Sequence, residues 1–225
     1  MNIIVLPGST SPYASEIQEV YSTIEDGAQS LGFECQVVAY PGQQGVNSGR
    51  LTYASAVERA ITVCRERKPA WIIGRCFGCE IACGILASGE PWVGGVRGAV
   101  LWGPGLLKRY RTFWPTAEKQ RKEIEDHKAK GTWLASDCLD TLPGIESLIQ
   151  NVRCKVRIAR GTADEICKSE DVYDLYEIHH RSQPDFSQPY LEVPGLDHYV
   201  FKSKISADHL AQYYDCLFAP FPTAN

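Results

Sequence analysis

The chain has 225 residues, of which 44% are hydrophobic and 22% are charged, and its formal net charge is -4 with a pI of about 5.8. This composition is typical of a soluble globular domain, and no stretch approaches the roughly 20 apolar residues of a membrane span. The negative net charge offers no basic field for a phosphate backbone. We therefore expect a single domain over residues 1–225, with neither a membrane nor a nucleic acid as its partner.

The N-terminal segment, Met1 to Gly8, has no positively charged region, and its apolar run is too short for a secretory signal. It is interpreted as the first core strand, and the expected location is the cytoplasm. Nine cysteines, an odd number spread along the chain, are typical of reduced thiols packed as small hydrophobes rather than of a disulfide framework. The exception is a cluster of three, Cys76, Cys79 and Cys83.

Short apolar segments alternate along the chain with longer amphipathic ones. In chain order, the pattern predicts a strand at 2–7, a helix at about 15–31, a strand at 35–40, a helix at 51–67, a strand at 70–73, a helix at 80–87, and strands at 98–102, 155–159 and 190–193. Strands that alternate with helices favour an α/β fold, with a parallel sheet covered on both faces.

One connection breaks this rhythm. About fifty residues separate Trp102 from Lys155, where about a dozen are enough for a crossover. The excess predicts a helical cap insertion at about 106–152, with a charged helix at 118–130 and a short helix near Ile145. Two of its aromatics, Trp114 and Trp133, either roof a pocket or anchor a solvated helix, and the sequence leaves both interpretations open.

Ligands of parallel α/β sheets bind at the carboxyl ends of the strands. The loops at these ends hold Ser9, Cys76, Asp164 and His198, so the chemistry of the sequence converges on one edge of the predicted sheet. The strongest motif is the GRCFG pentapeptide around Cys76, between a predicted strand and a predicted helix. A nucleophile on so sharp a turn needs glycine at 74 and 78, because a Cβ there would collide with the adjacent strand and helix. The helix N-terminus also favours a thiolate.

These residues resemble those of the α/β-hydrolase family, with GxCxG in place of the commoner GxSxG, as in dienelactone hydrolases and cysteine-type thioesterases. The resemblance spans nearly the whole chain, and the order of nucleophile, acid and histidine matches the family's. It implies that Cys76 is the nucleophile, His198 the general base, and Asp164 the carboxylate that orients the base. It also implies an oxyanion hole made by the backbone N–H groups of Phe77 and Ser9.

Two departures from the family affect these expectations. The loop before Ser9 reads Pro7-Gly8 instead of the usual His-Gly, so the match to the family's motif is incomplete at the second oxyanion donor. The chain also opens directly on the strand that precedes this loop, without the family's initial antiparallel hairpin. We therefore expect a minimal, mostly parallel sheet of six strands.

Several residues compete for the same roles. Glu165 or Asp197 could replace Asp164 as the acid, although a carboxylate adjacent in sequence to a histidine usually points away from its ring. The remaining histidines lie in helix-like segments with polar neighbours and are expected to be solvated: His127, His179, His180 and His209. Candidates for substrate contact are Arg75, Trp102 and Trp114, with further positive charge at Lys108, Arg109 and Arg111, although these charges could equally be ordinary surface residues.

The implied activity is hydrolysis of an ester, lactone or thioester of a small molecule through an acyl-cysteine, or acyl transfer by the same intermediate. No cofactor and no metal is expected. Cys76-Phe77-Gly78-Cys79 is also a CxxC motif, so thiol-disulfide chemistry is an alternative, and a hydrolase-like protein that only binds its ligand is another. A homodimer is compatible with the sequence, which leaves the oligomeric state open.

Overall fold

The computed structural model describes residues 1–15, 17–43, 49–105, 116–135, 138 and 141–219. Its centre is a parallel sheet with strand order β2-β1-β3-β4-β5-β6. The strands are β1 (Asn2–Leu6), β2 (Glu34–Val37), β3 (Trp71–Arg75), β4 (Gly98–Trp102), β5 (Lys155–Gly161) and β6 (Leu191–Val193). Every neighbouring pair is parallel. The predicted six-stranded α/β architecture is therefore confirmed.

The helices cover both faces of this sheet. They are α1 (Gln18–Ser30), α2 (Tyr53–Arg67), α3 (Phe77–Leu86), α4 (Ala117–Ala129), α5 (Ile145–Leu148), α6 (Ser169–Ser182) and α7 (Ala207–Phe218). One buried cluster holds α2, α3, α5 and α6 against one face, and a second holds α1 and α7 against the other. The inner strands β1, β3, β4 and β5 bury apolar side chains toward both clusters, as expected for a parallel sheet covered on both faces. No helix in the described part of the chain is long and apolar enough to cross a membrane.

The order of the strands in the sheet determines where a ligand site can form. The chain runs from β1 outward to β2 and then returns to β3 on the opposite side of β1. The carboxyl ends of β1 and β3 therefore flank the point where the strand order reverses, which is where open α/β sheets bind ligands. Ser9 follows β1 and Cys76 follows β3, so the topology brings both to this point.

Within the predicted insertion, the structure describes residues 116–135, 138 and 141–152. The charged helix is present as α4, and the short helix near Ile145 is present as α5. A segment after α4 joins the loop after β2: Thr132 pairs with Gln43, and Leu134 pairs with Leu51. Trp133, one of the two candidate roof residues, is 43% exposed, and Trp114 lies outside the described residues.

Candidate active site

Cys76 occupies a strained turn between β3 and α3. Its backbone angles are φ 50° and ψ -120°, whereas Lys68, the other described non-glycine residue with positive φ, takes the ordinary left-handed angles of a helix end, φ 47° and ψ 62°. Such backbone strain costs about 1–3 kcal/mol and gathers at functional sites. The side chain of Cys76 is partly exposed rather than sealed in the core.

The two glycines of the motif permit this turn, as the sequence predicts. A Cβ on Gly78 would run into the carbonyl oxygen of Leu6 and would lie 2.6 Å from that of Pro7. A Cβ on Gly74 would lie 2.8 Å from the Cα of Cys79. Both distances are well inside van der Waals contact with backbone atoms, which cannot easily move aside. The close approach of α3 to the ends of β1 and β3 therefore requires glycine at both positions.

His198 and Asp164 form a buried pair at the carboxyl ends of β6 and β5. Nδ1 of His198 lies 2.9 Å from Oδ2 of Asp164, and the two residues are only 4% and 3% exposed. The other oxygen of Asp164 accepts hydrogen bonds from the backbone N–H groups of Ile166 and Cys167, at 2.9 and 2.8 Å. These bonds fix the carboxylate toward the imidazole.

The competing carboxylates lie elsewhere. Glu165 and Asp197 are both exposed, whereas Asp164 is buried and bonded to the ring of His198. Of the three carboxylates weighed from the sequence, the structure therefore brings Asp164 to His198.

The electrostatics of His198 link it to Cys76. Burial by itself lowers the pKa of His198, but the charge of Cys76 and hydrogen bonds with Asp164, Cys167 and Cys76 outweigh it and raise that pKa well above its ordinary value. For Asp164, burial raises the pKa, and the hydrogen bonds from His198 and from two backbone amides reverse this, so that the pKa is lowered overall. Cys76 and Asp164 thus both favour the protonated form of the His198 ring.

The loop after β1 lies against Cys76. A Cβ on Gly8 would be 3.5 Å from the Cβ of Cys76. The side-chain amide of Gln43 donates to the carbonyl oxygens of Gly8, Ser9 and Thr10, each at 3.2 Å. In a trans peptide the N–H points opposite to the preceding carbonyl, so the N–H of Ser9 points away from Gln43.

Phe77 is the first residue of α3, and the N–H of a first helical residue has no acceptor within its own helix. This geometry agrees with Phe77 and Ser9 as oxyanion donors, and their role stays a prediction.

Two candidates for substrate contact lie inside the protein. Arg75 is 2% exposed, donates a hydrogen bond to the carbonyl oxygen of His198, and stacks over the ring of Tyr21 with 5.6 Å to the centroid. Trp102 is fully buried and packs edge-on against Tyr213. This burial argues against direct substrate contact by either residue and gives Arg75 a part in holding the His198 backbone. The other candidates, Lys108, Arg109, Arg111 and Trp114, lie outside the described residues.

The structure adds residues that the sequence did not single out. Cys167 places its thiol 3.0 Å from the carbonyl oxygen of Gly103 and 3.8 Å from Nδ1 of His198, and burial raises the pKa of Cys167 to about 11. A Cβ on Gly103 would lie 3.2 Å from Oδ2 of Asp164. The side-chain atoms of Asp164, Cys167 and His198 that could bind a metal ion lie within 4.8 Å of one another. In this structure they interact with one another and with Gly103. Gly103 comes from a distant segment, whereas Cys167 lies three residues after Asp164 in the same loop.

The expectation that the other histidines are solvated is wrong for two of them. His179 is fully buried in α6, and His127 in α4 is 8% exposed. Nε2 of His127 lies 2.8 Å from the hydroxyl of Ser9. A polar helix sequence suggested a solvated face, but α4 packs His127 onto the loop after β1.

Comparisons with known proteins agree with this fold. No protein-family model and no curated protein matches the sequence. Among solved structures, an esterase from Exiguobacterium antarcticum superposes with a TM-score of 0.68 at 13% identity, covering 96% of this chain and 92% of that one. A monoacylglycerol lipase from Paleococcus ferrophilus gives 0.62 at 14% identity, with 95% and 92% covered. An esterase domain from Rhodothermus marinus gives 0.63 at 13% identity, with 95% and 82% covered. The chain has the α/β-hydrolase fold.

Proposed function

We propose that the protein is a hydrolase that cleaves a carboxylic ester, lactone or thioester through a covalent acyl-cysteine at Cys76. The observation that carries this proposal is the buried imidazole of His198, whose Nδ1 lies 2.9 Å from Asp164 and whose pKa is raised by Cys76. A nucleophile, a base and a carboxylate in this order of contact are the parts of a catalytic triad.

In the first half of the proposed cycle, the thiolate of Cys76 attacks the acyl carbon. The carbonyl oxygen becomes an oxyanion, which the N–H groups of Phe77 and Ser9 stabilise. The bond to the leaving alcohol or thiol then breaks, and the imidazolium of His198 gives its proton to the leaving atom. Asp164 holds the ring in place throughout.

The second half of the cycle depends on the loss of the negative charge of Cys76 when it is acylated. The charge of Cys76 is the largest of the effects that raise the pKa of His198, and acylation removes it. The pKa of His198 therefore falls in the acyl-enzyme, and the neutral ring accepts a proton from water as water attacks the thioester. The C–S bond then breaks, which releases the carboxylic acid and restores the thiolate of Cys76 beside the imidazolium of His198. One histidine thus serves first as acid and then as base.

The acyl donor is proposed to be a small molecule. A cysteine nucleophile forms a thioester, which lies close in energy to a thioester substrate and which amines resolve as well as water does. Thioester cleavage and acyl transfer are therefore candidates beside ester and lactone cleavage. The esterases and the lipase of similar fold support an ester substrate, and the finer likeness to dienelactone hydrolases or cysteine-type thioesterases is part of the proposal.

Thiol-disulfide chemistry is less well supported. Burial raises the pKa of Cys79 well above its usual value, and the thiol of Cys79 lies 3.4 Å from the carbonyl oxygen of Trp102 as its hydrogen-bond donor. A resolving cysteine needs an accessible thiol of ordinary or low pKa. This burial argues against the CxxC motif as a redox centre.

Selective alkylation tests the proposal. Burial raises the pKa of Cys64, Cys154 and Cys216 to about 12, so these thiols should stay unreactive near neutral pH. We expect iodoacetamide to modify Cys76 first, and its rate to persist below pH 7, where an ordinary thiol with a pKa near 8.5 reacts slowly. Alkylation should abolish turnover of short acyl thioesters and p-nitrophenyl esters in parallel.

The matched variants are Cys76→Ala and Cys79→Ala. Turnover should disappear in the first and persist in the second, with peptide mass mapping finding the thioester adduct on Cys76 in Cys79→Ala. The proposal fails if another cysteine is alkylated first, or if Cys76→Ala keeps its activity.

A further inference from the structure

A second set of side chains beside Cys76 repeats the logic of a catalytic triad. The hydroxyl of Ser9 lies 2.8 Å from Nε2 of His127. Nδ1 of the same ring lies 3.1 Å from the carboxylate oxygen Oε1 of Glu123 and 3.0 Å from the carbonyl oxygen of Glu123. Hydroxyl, imidazole and carboxylate therefore lie in line, as they do in a serine nucleophile with its base and its orienting acid.

The hydrogen-bond partners determine the direction of the proton. Both neighbours of Nδ1 are acceptors, the carboxylate and the carbonyl of Glu123, so Nδ1 must carry a hydrogen. In the neutral ring, Nε2 then has its lone pair free and accepts from the hydroxyl of Ser9. The oxygen of Ser9 is left with both lone pairs, beside a base that is ready to take its proton.

The fold holds these groups in register through one residue, Gln43. Its side chain binds the three carbonyls of the Ser9 loop, and its backbone pairs with Thr132 just after α4. The N–H of Thr132 in turn donates to the carbonyl oxygen of His127 at 2.8 Å. The loop that carries Ser9 and the helix that carries His127 are thus both fastened to Gln43, which preorganises their contact.

Exposure separates the roles of the three side chains. Ser9 is partly exposed, His127 is 8% exposed, and the side chain of Glu123 is 24% exposed. The hydroxyl can therefore meet a small molecule while the imidazole stays shielded from bulk water. Ser9 directly follows Gly8, where a Cβ would lie 3.5 Å from the Cβ of Cys76, so the loop that carries this hydroxyl adjoins the elbow.

From this geometry we propose that Ser9, His127 and Glu123 form a second nucleophilic site, which reacts with activated acyl compounds. In the reaction, the oxygen of Ser9 bonds to the acyl carbon, its proton passes to Nε2 of His127, the bond to the leaving alcohol breaks, and His127 returns the proton to that alcohol. The product is an ester on Ser9. The inference goes beyond the proposed function and does not depend on the reactivity of Cys76.

An alkyl fluorophosphonate tests the site, because this probe traps activated serines: the serine oxygen bonds to phosphorus, fluoride leaves, and the base takes the proton. We expect peptide mass mapping to find the adduct on Ser9, both in the wild-type protein and in Cys76→Ala. Ser22, an exposed serine on α1, should remain unmodified in the same samples.

Two variants separate a base from a structural clamp. His127→Gln keeps a hydrogen-bonding side chain at the position but cannot accept a proton, and His127→Ala has neither property. We expect both to lower the labelling rate by about 100-fold or more, which is the usual size of general-base catalysis. Glu123→Gln, which keeps an acceptor for Nδ1 but not the charge, should cause a smaller loss.

The opposite results would overturn the inference. If the wild-type protein carries no adduct on Ser9, or if His127→Gln labels as fast as wild type, the contact is only a clamp between α4 and the loop. Iodoacetamide alkylation of Cys76 in the wild-type protein is a separate measurement. Failure at Ser9 with normal alkylation at Cys76 therefore removes this inference and leaves the proposed function intact.

Discussion

The elbow around Cys76 and the insertion after β4 are built in different ways. Every residue of α3 from Phe77 to Cys83 is buried, and its start is pressed against the backbone of β1 and β3. Helix α4 of the insertion is mostly exposed, and His127 is its only buried side chain among those described for this helix. The elbow is held by close backbone packing, whereas α4, among its described residues, adds only the partly buried Ile124 to the apolar core and reaches the loop of Ser9 through His127.

This difference determines how firmly each region holds its side chains in place. Backbone packing cannot relax without a large cost, so the elbow holds Cys76 in its strained turn. Polar bonds at a surface contribute about 1 kcal/mol each, so α4 can change its position more readily. The proposed nucleophile thus lies on the rigid region, and the partner of Ser9 lies on the softer one.

The largest effect is expected from Asp164→Asn. The amide would keep an oxygen toward Ile166 and Cys167 but would present an N–H to Nδ1 of His198, which favours the wrong tautomer. We expect kcat to fall by about 10³ to 10⁴ with KM little changed. Steady-state kinetics on a short acyl thioester measure it. Glu165→Gln and Asp197→Asn, at exposed positions, are the controls, and an equal loss in either would refute the assignment.

Next in size is Gly78→Ala at the elbow. Its Cβ would overlap backbone oxygens at the end of β1, so α3 or β1 must shift. We expect the free energy of unfolding to drop by about 3 kcal/mol or more. Gly94→Ala is the matched control, because a Cβ there meets nothing within 4 Å, and its effect should stay within about 0.5 kcal/mol. Urea unfolding measures both variants, and equal stabilities would contradict the close packing.

The junction between the two regions should depend on pH through Glu80. Oε1 of Glu80, on α3, accepts from the backbone N–H of Gly144 at 2.9 Å, and burial raises the pKa of Glu80 to about 7. A carboxyl group with a raised folded-state pKa stabilises the protein fully below its unfolded pKa of 4.5, and this stabilisation is lost as the pH rises toward 7.

At about 1.4 kcal/mol per pKa unit, the loss is about 3 kcal/mol. In Glu80→Gln, the fall in unfolding free energy between pH 4.5 and 8 should therefore be smaller than in wild type by roughly this amount. Urea titrations across the pH range measure the difference. Glu125→Gln, at an exposed position on α4, should keep the wild-type profile, and an unchanged profile in Glu80→Gln would show that Glu80 does not titrate in this window.

The smallest effect compares two helix caps. The hydroxyl of Thr52 caps α2, at 3.0 Å from the N–H of Ser55, and that of Thr116 caps α4, at 3.3 Å from the N–H of Lys119. Thr52→Ala should lower global stability by about 1 kcal/mol, because α2 is part of the core. Thr116→Ala should mainly speed amide exchange within α4. Hydrogen exchange measures the local effect, and urea unfolding measures the global one. A loss of global unfolding free energy in Thr116→Ala would show that the insertion is coupled to the core.

The structure of the elbow could be predicted from the sequence because it depends on residues that are close together along the chain. The strand and helix on either side of Cys76, and the need for glycine at 74 and 78, follow from local pattern and local sterics. The contact of Asp164 with His198 follows from topology, because both residues end parallel strands. The exposure of Glu165 and Asp197 came only from the structure, since neighbouring residues point in directions that the sequence does not show.

The burial of Arg75, Trp102 and His127 could not be predicted from the local sequence. Arg75 sits in the motif itself, yet its guanidinium turns inward to the carbonyl of His198. His127 lies in a helix with a polar sequence, and only the pairing of Gln43 with Thr132 brings it to Ser9. Each of these placements depends on a partner more than 80 residues away along the chain.

The sequence by itself determined the α/β architecture, the six strands and the turn at Cys76, because hydrophobic periodicity and glycine sterics act over a few residues. Only the tertiary structure decided that Asp164, and not Glu165 or Asp197, lies beside His198, and that His127 lies beside Ser9. The physical reason is that hydrogen bonds between loops depend on orientation at the scale of an ångström. That orientation is set by the packing of the whole sheet, and no short stretch of sequence contains it.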